Sequence, residues 1–193
     1  MLAYPTTPFQ LRRAEPCEMS LVAELRLVSL LSLEMPRHSL HAIEALLNSL
    51  PGLDADMLES GRYFVAENAG DLLGGAGWSP LPAAFRSPRL GHEGGGPAFI
   101  SLDADSVLLR GFFLDPDQGR RGVGAALLSQ LEAEAALDGF RGAELIVAAD
   151  AQLFYRSLGF RPLRRLTLTL DSGDTLPILQ MRKPFAPRLA AAA

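Results

Sequence analysis

Cysteine is nearly missing from this 193-residue chain, which carries only Cys17. No internal disulfide can form, so a disulfide-stapled secreted scaffold and a cysteine-rich metal site are both excluded. Lysine is as scarce, Lys183 standing alone among 18 basic residues. A Walker-type phosphate loop, which needs Gly-Lys-Ser/Thr, is excluded with it. An excess of positive charge is also lacking: 18 basic against 22 acidic residues leave a net charge of −4. That argues against a nucleic-acid partner recognised through a broad basic field. No apolar run reaches the roughly 18 residues that a membrane helix needs. The amino terminus, MLAYPTTPFQLRR, lacks the basic-then-apolar order of a signal peptide. These absences predict a soluble, cytoplasmic protein with neither a membrane nor a nucleic-acid partner.

What is present is apolar. Hydrophobic residues make up 48% and charged residues 21% of the chain, enough to bury a full core. The expected organisation is one domain over 1–193, with a core of about 8–183 and a disordered tail over 186–193. The pattern predicts a strand over 8–13 and a helix over 17–35 with Leu21, Leu25 and Val28 on one face. The second half of that helix, LRLVSLLSLEM, is apolar nearly all round, which suits a wall of a binding pocket or a homodimer contact. Ser39 caps a helix over 40–50. Strands over 62–67 and 72–79 flank the turn residues Asn68-Ala69-Gly70-Asp71. Residues 80–104, rich in proline and glycine, read as one long mobile loop beside the functional groove.

A strand over 107–114 ends at Asp115-Pro116, and a helix over 123–137 buries Val123, Leu127, Leu131 and Ala135. A strand over 143–148, a short helix over 150–158 capped by Asp150, and strands over 164–170 and 175–182 complete the chain. The order predicts an α/β fold with a mixed, mostly antiparallel sheet of about seven strands.

The most informative segment is GFFLDPDQGRRGVGAALL, residues 111–128. It reads as strand, sharp turn, glycine-rich loop and helix. Gly119, Gly122 and Gly124 let backbone amides point inward. The helix amino terminus offers unpaired N–H groups and a favourable dipole, and Arg120 and Arg121 add charge, so the composite is a phosphate site. A dinucleotide fingerprint fits poorly, because its third glycine would be Leu127.

This segment resembles motif A of the GNAT superfamily of acyl-CoA-dependent N-acetyltransferases. Phe112-Phe113-Leu114 matches its strand, Pro116 its proline, and Gly122 and Gly124 its glycines. Gly119 stands where the family usually has Gln or Arg, flanked by Gln118 and Arg120. AELIVAADAQLFYRSLGF, residues 143–160, resembles motif B through Ala151, Phe154, Tyr155, Gly159 and Phe160. Ala148 stands where the family often has Asn. The resemblance covers roughly 8–183 and implies a twisted sheet whose two central strands splay apart, with acetyl-CoA as co-substrate and an amine as acceptor. It implies cofactor contacts from Phe112, Phe113, Leu114, Gln118, Gly119, Arg120, Arg121, Gly122, Val123, Gly124 and Ala125. It also implies that Tyr155 is the general acid toward the departing thiolate; adjacent helix positions lie about 100° apart, so its neighbour Phe154 is expected in the core.

The base that frees the amine is open among Glu67, Asp115, His92, Asp103 and Asp105, with Glu67 the favoured choice. His38 and His41 read as surface residues, Cys17 as a packing residue, and Trp78 as either a pocket wall or core. No spacing predicts a metal site. The reading is direct transfer in a ternary complex; the competing one is a non-catalytic acyl-CoA-binding or regulatory domain.

Overall fold

The computed structural model describes residues 8–34, 39–49, 53, 55–80, 84–93, 95–101, 103–118, 122–170, 173 and 175–185. Strand β1 (Gln10–Arg13) leads through a 3-10 turn to helix α1 (Met19–Glu34), α2 (Leu40–Ser49) and α3 (Ala55–Glu59). Strands β2 (Tyr63–Asn68), β3 (Asp71–Ser79), β4 (Ala84–His92), β5 (Pro97–Ser101) and β6 (Ser106–Leu114) follow. Helix α4 (Val123–Leu137), β7 (Gly142–Ala148), α5 (Gln152–Ser157), β8 (Arg161–Thr169) and β9 (Thr175–Pro184) complete the order. The expected tail over 186–193 lies outside the described residues.

Local chemistry sets several of these boundaries. The Ser39 hydroxyl accepts the Ala42 N–H at 3.3 Å and caps α2. The β2–β3 turn needs positive φ at both central residues, and Ala69 (φ 52) and Gly70 (φ 93) supply it. Gly139 (φ 93) and Gly159 (φ 94) follow the ends of α4 and α5 in the left-handed region. Asp150 does not cap α5; it lies inside the 3-10 turn Ala149–Ala151, and Ala151 holds the N-cap position.

The nine strands form one sheet in the order β1-β2-β3-β6-β7-β9-β8-β4-β5, antiparallel except for β6 and β7. Nine replaces the expected seven because residues 80–104 are not one loop: they hold β4 and β5. The glycines fall in the turn between the two strands, at Gly95 (φ 90) and Gly96 (φ 86). Pro88 falls where the β4–β5 register shifts, between Arg86 and Gly91, and a register irregularity is where a strand tolerates proline. β4 pairs with β8 through Leu90 opposite Leu168, and Leu90 and Ala98 are buried with Ala42 of α2.

Helix α4 covers one face of the sheet, burying Val123, Leu127, Leu131 and Ala135 as their spacing predicts. Full burial of one such leucine contributes about 1.5–3 kcal/mol. The other face carries α1, α2 and α3. Here α1 departs from its expected face. Leu21 and Val28 are 46% and 47% exposed, while Val22 and Ser29 are buried. Apolar content all round a helix does not say which stripe meets the sheet; a polar contact decides it. The Ser29 hydroxyl donates to the Leu114 carbonyl at 2.7 Å and turns that stripe inward.

Candidate active site

β6 and β7 pair only over Ser106–Leu108 and Gly142–Glu144. Their outer neighbours continue further: β3 follows β6 to Leu114, and β9 follows β7 to Ala148. The two central strands therefore splay apart beyond Leu108 and Glu144. Between them lies a cleft of about 440 Å³. It reaches both faces of the sheet, since Leu109 and Leu145 line it from the α4 side and Leu108 and Ile146 from the α2 side.

A bulge shapes the β6 lip. Gly75 pairs with Phe113 and Gly77 with Arg110, so the single residue Ala76 faces both Gly111 and Phe112. Gly111 holds φ 64 there. The ring of Tyr63 locks this geometry. A Cβ on Gly111 would sit 2.9 Å from that ring, and one on Gly75 would sit 2.8 Å from its hydroxyl oxygen. The hydroxyl donates to the Gly111 carbonyl at 2.6 Å, and burial raises its pKa well beyond the usual phenol range.

The mouth of the cleft adjoins the start of α4. Gly122 is the N-cap with φ 80, and nothing lies within 4 Å of the place its Cβ would take. A side chain at Gly122 would meet nothing among the described residues. Gly124 is different: a Cβ there would meet Leu114 and Phe154 at 3.1 Å and Phe112 at 3.3 Å, so valine at this position would disturb packing. Val123 is buried and Ala125 exposed. Gln118 closes the 3-10 turn Pro116–Gln118, and Gly119, Arg120 and Arg121 lie outside the described residues.

Tyr155 lines the cleft at 8% exposure. Its ring centroid is 5.9 Å from Phe112, 5.0 Å from Phe154 and 6.1 Å from Phe160. Phe154 is not core as expected; it is 38% exposed on the rim beside Tyr155. Helix α5 is a single short segment against the cleft edge, so two adjacent positions both border the opening. Phe112, Leu114 and Ala148 line the cleft. Phe113 lines it too, while its ring packs into the core beneath α1.

The expected base, Glu67, is not among the cleft-lining residues. Its carboxylate accepts from Arg12 Nε at 2.5 Å, and the same guanidinium pairs with Glu18 at 2.7 Å. The hairpin order places Glu67 between β1 and β3, not beside β6. Asp115 does line the cleft, its Oδ1 accepting the Asp117 N–H at 2.9 Å. Asp103 pairs with Arg182 at 2.8 Å, Asp105 is exposed, and His92 is exposed on β4 across the sheet. His38 lies outside the described residues, and His41 is exposed. Trp78 is core, 2% exposed and edge-on to Phe140. Cys17, expected to pack, is exposed.

Four polar cleft residues were missed from sequence: Arg26, Ser29, Arg110 and Asp150, the last read only as a helix cap. Arg26 lines the cleft from α1, and its only sequence signal is that it is the one cation of a mostly apolar helix. Burial lowers its pKa. Arg110 is 9% exposed and directs Nε and Nη2 at Met57 Sδ, 3.2 and 3.1 Å away. Burial, and then repulsion from Arg26, lower its pKa.

A parallel pair splayed inside an otherwise antiparallel sheet, with the start of α4 beside its opening, is the frame of the site. The family model described as "Acetyltransferase (GNAT) domain" matches residues 59–162. The chain belongs to the GNAT family, and it is an acetyl-CoA-dependent acyltransferase. Among solved structures, the PaiA N-acetyltransferase of Thermoplasma acidophilum in complex with coenzyme A is 16% identical with a TM-score of 0.60, covering 92% of this chain and 99% of that one. YncA of Salmonella typhimurium with its cofactor acetyl-CoA is 18% identical with a TM-score of 0.60, covering 96% and 99%. The ribosomal-protein-S18-alanine N-acetyltransferase of Escherichia coli is 16% identical with a TM-score of 0.56, covering 96% and 99%. No curated protein matches the sequence significantly.

Proposed function

We propose that the protein transfers an acetyl group directly from acetyl-CoA to a small amine bound in the same cleft. The observation that carries this is the early end of β6–β7 pairing, which leaves two strand edges facing a cavity. Backbone N–H and C=O groups along such edges can pair with the amides of a pantetheine arm as they would with another strand. The residues fit the rest of the cofactor as well. The start of α4, from Gly122 through Val123 and Gly124 to Ala125, would offer a diphosphate the first-turn amides that have no intrahelical partner and the positive dipole end. Phe112, Phe113 and Leu114 would flank the arm.

The thioester supplies an activated acetyl group. A neutral amine attacks its carbonyl carbon, the C–S bond breaks, and the sulfur leaves as thiolate. In this reading Tyr155 gives its hydroxyl proton to that thiolate. Asp115 and Asp150, the acidic groups lining the cleft, are the candidates to take the amine's proton. A backbone amide at the Gly111–Phe112 bulge would polarise the thioester carbonyl. Glu67 has no part in it, because its carboxylate is held by Arg12 away from the cleft.

The test pairs binding with turnover. Acetyl-CoA should raise the melting temperature with the logarithmic concentration dependence of a folded-state ligand. Purified protein with acetyl-CoA should then release CoA faster in the presence of at least one member of an amine panel. Binding without amine-dependent CoA release from any amine class would instead indicate an acyl-CoA-binding domain without turnover.

A further inference from the structure

We propose that the acceptor is an amine that also carries an anionic group, held by Arg26 at the α1 side of the cleft. The proposal rests on the acetyl-transfer reading above and names the substrate class for that site. Arg26 is partly buried, lines the cavity, and has no hydrogen-bond or ion-pair partner among the described residues. Its electrostatic neighbours are Arg110 and the hydroxyls of Tyr63 and Tyr155. Arg26 and Arg110 thus both line one largely apolar cavity, with the Arg110 guanidinium turned toward Met57. Withdrawing a cation from water is costly unless an anion meets it, and the guanidinium fork suits carboxylate or phosphate geometry. The acidic groups of the cleft, Asp115 and Asp150, follow the carboxyl ends of β6 and β7, beyond the bulge.

The position sets the size of the ligand. Arg26 and Tyr155 line the same cleft and interact electrostatically, and in the reading above the Tyr155 hydroxyl faces the thioester sulfur, one bond from the carbon that the nitrogen attacks. Amine and anion must therefore sit on one compact molecule, as in an amino acid or an aminoalkyl phosphate. A polyamine would bring further positive charge toward Arg26 and Arg110 and is disfavoured by the same field.

The test measures binding to the free and the CoA-saturated protein with matched ligand pairs. Alanine is set against ethylamine, phenylalanine against phenethylamine, and phosphoethanolamine against ethanolamine, with spermidine as the polycation. At least one anionic member should bind about tenfold or more tightly than its partner, the usual worth of a charge-assisted hydrogen bond. The carboxylate and phosphate pairs tell the two anion sources apart. Arg26→Gln should abolish the preference in a protein whose melting temperature acetyl-CoA still raises; Arg26→Met is the second variant should Gln not fold. Equal binding within every pair, tightest binding of spermidine, or a preference that survives loss of Arg26 overturns the proposal. Failure of acetyl-CoA itself to shift the melting temperature strikes the acetyl-transfer reading instead, so the two failures are distinguishable.

Discussion

At the scale of single residues, the site depends on which side chains the backbone turns into the cleft, and Tyr155 tests this most directly. Its ring is held among Phe112, Phe154 and Phe160, so removing the hydroxyl alone leaves the packing in place. Tyr155→Phe should lower turnover by a factor of about 10²–10⁴, the usual contribution of a positioned general acid. Acetyl-CoA affinity, measured by calorimetry, should change little. Near-full turnover would make the residue structural and leave the thiolate to take its proton from water. The motif residues around Tyr155 were legible because their order and spacing are local. Arg26 and Arg110 were not, because Arg26 reaches the cleft only through tertiary packing and Arg110 is a single charge inside an apolar strand. Glu67 was misplaced for the same reason: its sequence position at a strand end says nothing about Arg12, which is 55 residues away and takes its carboxylate.

At the scale of elements, the junction of β1, β2 and the start of α1 is fastened by charge. Arg12 donates to Glu18 in the 3-10 turn and to Glu67 on β2. The hydrogen bonds from Arg12 hold the Glu18 carboxyl below its usual pKa. A depressed carboxyl stabilises the fold above its unfolded pKa, and that stability is lost as pH falls through the folded value. Stability should therefore drop on acidification from the ordinary carboxylate range downward. In Glu18→Gln that component should vanish, and stability near neutral pH should fall by about 1 kcal/mol or less, since both side chains are partly solvated. Chemical denaturation at several pH values reads both effects. Elements with strong periodicity were legible: α4 was expected over 123–137 and spans Val123–Leu137. β4 and β5 were not, because their glycines and prolines resemble loop chemistry until Leu168 of β8 supplies the partner for Leu90.

At the scale of the whole molecule, the sheet is two halves sharing one short seam, the three residue pairs of Ser106–Leu108 with Gly142–Glu144. The splay itself was legible only through family resemblance, since no local pattern announces where two strands stop pairing. The amides of 109–114 and 145–148 that face the cleft should exchange hydrogen faster than those bonded to β3 and β9. Acetyl-CoA should slow both lips together, by up to about a hundredfold at a hundred times its dissociation constant. Protection of only one lip would contradict a ligand seated between them. The seam also acts as a pivot at one end of a lever. From Leu108 to Leu114 the β6 lip runs six residues, roughly 20 Å at about 3.3 Å per residue. A rotation of a few degrees at the paired end becomes a displacement of about an ångström at the far end. The aperture beside Gly122 is thus set by packing at Val107 and Ala143, a buried pair of the seam that does not line the cleft.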